Sequence, residues 1–247
     1  MRTKIPPLLC ELHAHTTWSD GALSLRELVD LYGTHGFDVL CVSDHVVRCD
    51  DPWTPARGEH AAFVNESNFG GYLAEIESES ERALERHGLF VLPGLELTYN
   101  DLDPTRAAHA VVVGTREFIS LDEGLESALA AARVQGAALI AAHPCSVEAA
   151  KTALRATARW ALEWRELGKM VDRFELANRT DVFDWVALAG FPAVASGDFH
   201  RPEHLATWKT LLPCEKSEHA VVAYLRSALP AYLTYLGSRN DPVPLAA

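Results

Sequence analysis

LLCELHAHTTWSDG, residues 8–21, decides how the rest of the chain is read. An apolar run ends on two histidines one residue apart, and Asp20 follows the second of them across the turn TTWS. On a β-strand successive side chains face opposite ways, so His13 and His15 share one face while Leu12 and Ala14 take the other. Two imidazoles on one face can clamp a metal ion, since nitrogen is a donor that Zn, Fe, Mn or Ni accepts. Asp20 can fold back towards them. A chain with 11 histidines also places such pairs on plain surfaces, so the other strands have to decide.

Working outward, strand-like runs recur at 37–45 (FDVLCVSDH), 89–98, 109–114, 137–144, 173–179 and 191–200, with a shorter one at 208–213. Helical patterns lie between them, at 24–36, 70–87, 121–135, 147–168, 181–189 and 216–228. The first of these opens on Ser24 as N-cap with Glu27 three residues on, and stops at Gly36. Repeated strand–helix alternation predicts a mostly parallel sheet covered by helices. Seven or so strands in 247 residues, without an interior linker or repeat, predict one closed or nearly closed α/β barrel over residues 1–247. Residues 46–69 break the alternation and are expected to form a lid or substrate rim. The tail, 238–247, is expected to be loosely ordered.

The metal-capable residues fall where the strands end. His13 and His15 close the first run, His45 the second, Glu96 lies near the end of the third, His143 closes the fifth, and Asp198 with His200 the seventh. In an α/β barrel these carboxyl ends converge on one rim, where the catalytic site sits. His109 begins its run instead. The ten-residue link YNDLDPTRAA before it is too short and turn-rich for a parallel crossover. Its strand is therefore expected to run antiparallel, which brings His109 to the same rim. Nine candidate donors result: His13, His15, Asp20, His45, Glu96, His109, His143, Asp198 and His200. That is too many for one tetrahedral ion and suits two or three divalent ions sharing a carboxylate. Mn, Fe and Zn all remain open. Glu96, Asp198 and His200 are the catalytic candidates.

Composition narrows the function classes. The charge balance, 22 basic against 34 acidic residues and net −12, gives no generic grip on nucleic acid, so long duplex is disfavoured as a partner. Five scattered cysteines without a C-x-x-C argue against a disulfide framework and for a reducing, cytoplasmic setting. The N-terminal apolar run is too short for a signal sequence, and no charge-free run approaches membrane-spanning length.

The ordered motifs H-x-H, S-D-G, S-D-H, G-x-E, a lone His before an apolar strand, A-H-P and G-D-F-H resemble the PHP (polymerase and histidinol phosphatase) superfamily, from about Glu11 to Lys209. The resemblance implies a distorted, TIM-like (β/α)7 barrel with a trinuclear metal centre that hydrolyses phosphate esters. It implies one ion on His13, His15, Glu96 and Asp198, a second on Glu96, His109 and His143, and a third on Asp20, His45 and His200. Aspartate at position 20 looks more like the small stand-alone phosphoesterase branch than the histidinol phosphatases. Some relatives in that branch carry a helical insertion between the glutamate and the A-H-P histidine. Here only 46 residues separate Glu96 from His143, so that insertion is absent and 46–69 would shape the pocket instead.

The chemistry expected of such ions is a metal-bridging hydroxide at neutral pH, attacking a small phosphorylated substrate such as a nucleotide or sugar phosphate. No serine or cysteine nucleophile is required, and Ser43 and Cys145 are read as structural. Asp44 and Glu11 are expected to steady metal histidines from behind. Arg179 at a strand end, Arg48 and Arg57 in the candidate lid, and Arg201 beside His200 are the candidate phosphate-binding cations. His35, His60, His87, His204 and His219 receive no metal role, and Trp160, Trp164 and Leu167 read as core or interface. An oligonucleotide hydrolase of the same superfamily and a non-catalytic metal-binding barrel are the rival readings. An amidohydrolase is less favoured, because no lysine is expected at a strand end near the rim.

Overall fold

The computed structural model describes residues 6–54, 62–151 and 157–237. The ring is built from β1 (Leu8–Glu11), β2 (Val39–Val42), β3 (His45–Val46), β4 (Phe90–Tyr99), β5 (Ala108–Val113), β6 (Ala138–Ala142), β7 (Arg173–Asn178) and β9 (Ala193–Ser196). β8 (Asp181–Val182), β10 (Trp208–Leu212) and β11 (Tyr232–Tyr235) flank it. The strand order is β11-β10-β1-β2-β4-β5-β6-β7-β8, with β3 on β4 and β9 on β7. The curled sheet nearly closes. Ala14 bridges Phe199 in parallel, and His15 N–H donates to the Phe199 carbonyl at 2.8 Å. On the β10 side, Ala195 N–H donates to Thr210 Oγ1 at 2.8 Å. This is a mixed α/β fold of the distorted TIM-like kind.

β5 runs antiparallel to both neighbours, placing Thr98 opposite His109 and His109 opposite Ala142. The short link before His109 is thus a hairpin, and His109 stands at the rim with the other candidate donors.

Helices cover the outside of the ring. α1 (Leu25–Thr34) starts on the expected capping box: Ser24 Oγ accepts from Glu27 N–H while the Glu27 carboxylate accepts from Ser24 N–H. Its buried face, Leu25, Leu28, Val29 and Tyr32, follows the helical period and meets Tyr72 and Ile76 of α2 (Phe69–His87) over Leu40, Val42, Leu95 and Leu97. Inside the ring, Cys10, Leu12, Cys41, Val111 and Ile140 form a second core, closed by Val221 and Leu225 of a late helix, Glu218–Arg226. Each such aliphatic side chain stabilises the fold by roughly 1.5–3 kcal/mol. α3 (Leu125–Val134) packs between β4 and β6. Apolar cover is lavished on the walls, and the polar residues are left at the strand ends.

Four expectations need correcting. The run 37–45 is two strands, because the chain breaks at Ser43–Asp44, where Asp44 accepts hydrogen bonds from Thr16 N–H and the Thr16 hydroxyl, both at 2.8 Å. The 147–168 pattern is not one helix. Its described residues form α4 (Val147–Ala150), α5 (Arg159–Glu163) and a 3-10 turn at Leu167–Met170. Thr157 is held by the His143 carbonyl and Ala158 by the Pro104 carbonyl, which diverts the chain from the helical path. Residues 181–189 open as strand β8, paired with β7, before α6 (Asp184–Leu188) begins. β11 was not foreseen. It pairs antiparallel with β10, and the helix Glu218–Arg226 is α7. Of the candidate lid, residues 55–61 lie outside the described residues, as do Arg57, His60 and the tail 238–247. Val64 N–H donates to the His45 carbonyl at 2.9 Å, so the far end of that segment is tied to β3. No helix among the described residues is long and apolar enough to cross a membrane.

Candidate metal centre

Three groups of donors gather at the rim: His13, His15 and Glu96; Glu96, His109 and His143; and His15, Asp20, His45 and His200. Within each, the candidate donor atoms lie within 4.8 Å of one another. Asp198 joins the first group, with Oδ1 3.5 Å from His13 Nε2 and 3.4 Å from His15 Nε2. Glu96 Oε2 stands 3.4 Å from both of those nitrogens. All nine candidates from the sequence therefore meet in one place.

In the first group the spacings favour an ion over hydrogen bonds. His13 Nε2 and His15 Nε2 are buried and lack a hydrogen-bond partner among the described residues, which is costly for a polar atom unless a ligand completes it. Ligands about 2.1 Å from an ion at tetrahedral angles stand about 3.4 Å apart. The four contacts to Glu96 and Asp198 have that length. In the second group, Glu96 Oε1 lies 3.0 Å from His109 Nδ1 and 3.1 Å from His143 Nε2. In the third, Asp20 Oδ1 lies 3.2 Å from both His45 Nε2 and His200 Nε2. The residues present fit divalent cations.

Behind the donors, the scaffold holds the opposite ring nitrogens. His13 Nδ1 faces Glu175 Oε1 at 3.0 Å, His109 Nε2 faces Asn100 Oδ1 at 3.0 Å, His143 Nδ1 faces Thr157 Oγ1 at 3.2 Å, and His45 Nδ1 faces Thr98 Oγ1 at 2.6 Å. Such partners fix which nitrogen carries the proton and which offers a lone pair. Among the described residues, three non-glycine residues adopt positive φ, and all sit here: His143 (φ 28), Arg179 (φ 50) and Asp198 (φ 42). Backbone strain of this kind concentrates at functional sites. Gly21, in the S-D-G turn, lets the chain pass so close that a Cβ would stand 2.4 Å from the His15 carbonyl oxygen. That approach brings Asp20 to the histidines.

The electrostatics are those of a dense, largely buried cluster. Burial alone would raise the Glu96 carboxyl, but His45, His13 and His109 hold it well below its ordinary range. Asp198 is lowered in the same way, by His13 and the neighbouring imidazoles, against its burial. Burial lowers His15 strongly, reinforced by His200 and His45. In His45 the Glu96 and Asp20 carboxylates outweigh burial and push it up to about 10.

The arginines differ in position. Arg179 is at the centre, its guanidinium 2.9 Å from Asp198 Oδ2 and 3.1 Å from His200 Nδ1, with its side chain 36% exposed. Arg48 lies over the Tyr99 ring and donates to the Asn100 carbonyl at 3.2 Å, one residue link from His109. Arg201 is exposed at the start of a 3-10 turn.

One supporting role was misplaced. Glu11 touches no ring nitrogen. It accepts from Leu12, His13 and Gly197 N–H, from the Tyr32 hydroxyl at 3.0 Å, and from the Lys209 ammonium at 2.9 Å. Lys209 itself corrects the expectation of no lysine near the rim. β10 is antiparallel to β1, so its first residues lie beside the histidine-bearing end, and the ammonium is fully buried beneath the site. Asp44 steadies the turn through Thr16 and the Ser19 hydroxyl, which in turn lies 3.5 Å from His15 Nδ1. Glu175, Asn100, Thr98 and Thr157 were missed. His204, set aside in the sequence, accepts the His200 N–H at 3.1 Å.

Comparison with known proteins agrees with this architecture. The chain has the PHP-type fold. It superposes on a two-domain protein from Bacteroides vulgatus, described as containing a PHP-like metal-dependent phosphoesterase by prediction, with TM-score 0.67 and 17% identity over 93% of this chain and 65% of that one. A protein from Bifidobacterium adolescentis, provisionally described as a metal-dependent phosphoesterase, matches with TM-score 0.51 and 15% identity over 80% of this chain and 90% of that one. In sequence, 91 residues are 30% identical to the DNA polymerase/3'-5' exonuclease PolX of Bacillus subtilis, covering 37% of this chain and 15% of that protein. The chain thus spans a small part of its curated relative and 65% of the Bacteroides chain. No protein-family model matches it.

Proposed function

We propose that this protein is a metal-dependent phosphoric ester hydrolase acting on a small phosphorylated molecule, such as a nucleotide or sugar phosphate. The observation that carries the reading is the set of three overlapping donor groups joined through Glu96 and His15. His13, His15, Glu96 and Asp198 would hold one ion, Glu96, His109 and His143 a second, and Asp20, His45 and His200 a third. Bound Mn, Fe or Zn would supply Lewis acidity towards a phosphoryl oxygen and a water acidic enough to ionise near neutrality.

The chain's own residues do the rest. Glu96 belongs to the first and second groups and would help hold an ion in each. Asp198 presents Oδ1 to His13 and His15 while Oδ2 keeps Arg179 at the rim. Arg179 turns Nε and Nη2 to Asp198 and His200 and leaves Nη1 to donate to a phosphate oxygen. His200, whose Nε2 would face the third ion, sets its Nδ1 beside Arg179 and helps place that guanidinium. Arg48 approaches the second group from the Tyr99 side. Phosphoryl transfer asks mainly for positioning and charge neutralisation, which this arrangement offers without a nucleophilic side chain.

An oligonucleotide hydrolase is the second reading, favoured by the stretch of likeness to an exonuclease-containing polymerase. Both are tested together by assaying the metal-loaded protein on p-nitrophenyl phosphate, bis(p-nitrophenyl) phosphate and short single-stranded oligonucleotides. Monoester turnover that disappears in Glu96→Ala supports the proposal. Cleavage of oligonucleotides alone moves the assignment to the second reading, and no cleavage of any of the three substrates overturns both.

A further inference from the structure

The first two donor groups share Glu96 but draw their histidines from different parts of the ring, and one buried side chain outside both touches each of them. Glu175, in β7, faces His13 Nδ1 with Oε1 at 3.0 Å and accepts the Ser196 hydroxyl on the same oxygen. Its Oε2 accepts the His143 backbone N–H at 2.6 Å and Asn178 Nδ2 at 2.7 Å. The carboxylate is 1% exposed. We propose that Glu175 is a positioning residue that couples two metal sites, by fixing the His13 ring and the His143 backbone with one carboxylate. The inference rests on the metal-centre reading above and adds to it a named residue that touches no ion.

Convergence of donors on both oxygens carries the argument. Ser196, Asn178 and the His143 N–H can only donate in these contacts, and they occupy both carboxylate oxygens. His13 must then also donate from Nδ1, which leaves the Nε2 lone pair aimed at the gap between Glu96 and Asp198. The His143 contact matters for a second reason. His143 sits at φ 28, where a non-glycine residue is strained, and the short bond to Glu175 helps hold it there. Displacing the carboxylate would release both effects together. Glutamine has nearly the same shape, but one end of its amide is a donor. Whichever way it is placed, N–H would confront N–H or O–H at one end of this pocket.

The test compares wild type, Glu175→Gln and Ser196→Ala by titrating the ion-free proteins with Co2+, following the visible absorption bands and bound metal per chain. The expected result is a 10- to 100-fold weakening of the ions on the His13 and His143 groups in Glu175→Gln, with the Asp20 group unchanged. Ser196→Ala, which keeps the carboxylate, should change affinity by less than about threefold. Unchanged affinities in Glu175→Gln, or equal loss at all three groups, would overturn the proposal while leaving the metal centre intact. Absence of Co2+ binding by wild type would instead overturn the metal-centre reading. If Glu175→Gln does not fold, the zinc-loaded wild type decides through its histidine 1H–15N spectrum. His13 protonated on Nδ1 supports the proposal, and His13 protonated on Nε2 contradicts it.

Discussion

At the scale of the residue, the centre is a crowd of imidazoles and carboxylates whose charges are balanced against one another. Without ions, His45 is pushed up to about 10 by Glu96 and Asp20, despite its burial, and His13 is raised well above its ordinary range by Asp198, Glu96 and Glu175, again against burial. His45 therefore carries its extra proton at pH 8 in the ion-free chain, and a bound cation has to expel it. Calorimetric titration of the ion-free protein with Zn2+ at pH 8, in buffers of different ionisation enthalpy, should show net proton release. Heats that do not vary with the buffer would contradict this balance. Beneath the rings, Glu11 and Lys209 form a fully buried pair. Removing one member leaves the other charge unpaired in the interior, so Lys209→Met should destabilise the fold by about 3–5 kcal/mol in urea unfolding. The double variant with Glu11→Gln should recover part of that loss. A single variant within 1 kcal/mol of wild type would show the pair to be dispensable.

At the scale of the element, strand ends place the donors and helix caps only support the wall. Ser24→Ala removes the capping-box acceptor of α1 and should cost about 1 kcal/mol without altering metal content, since α1 contributes no donor. Loss of metal in that variant would mean the wall and the site are not separable. Gly197 behaves differently, because a Cβ there would stand 2.4 Å from Glu11 Oε2 and 2.5 Å from Lys209 Nζ. Gly197→Ala should therefore both destabilise the chain and weaken its hold on metal, as it displaces the residue next to Asp198. This scale also explains what could be read from the sequence. His-x-His, Asp-x-His and the short link before His109 each announce a strand end within a few residues, so His13, His15, His109, Asp198 and His200 were legible as candidate donors. Glu175 was not, because it looks like any acid within a strand and its partner His13 lies 162 residues away. Lys209 escaped for the same reason, its partner being on β1. The pattern at 147–168 reads as one helix because its periodicity is local, whereas the ties of Thr157 and Ala158 that divert it come from distant strands.

At the scale of the whole molecule, apolar packing lies in the walls and floor of the ring, and one rim is left to polar groups among which His13 Nε2, His15 Nε2 and Glu96 Oε2 lack a hydrogen-bond partner among the described residues. Their incomplete pairing is the structural argument for bound cations, which should stabilise the folded state by linkage. The most direct test of the account is metal content per chain, by elemental analysis of protein purified without chelator, for wild type and Glu96→Ala. The account predicts up to three equivalents of Mn, Fe or Zn in wild type, one for each donor group, with the groups that share Glu96 emptied in the variant. Less than one equivalent in wild type, even after reconstitution with each metal in turn, would contradict it.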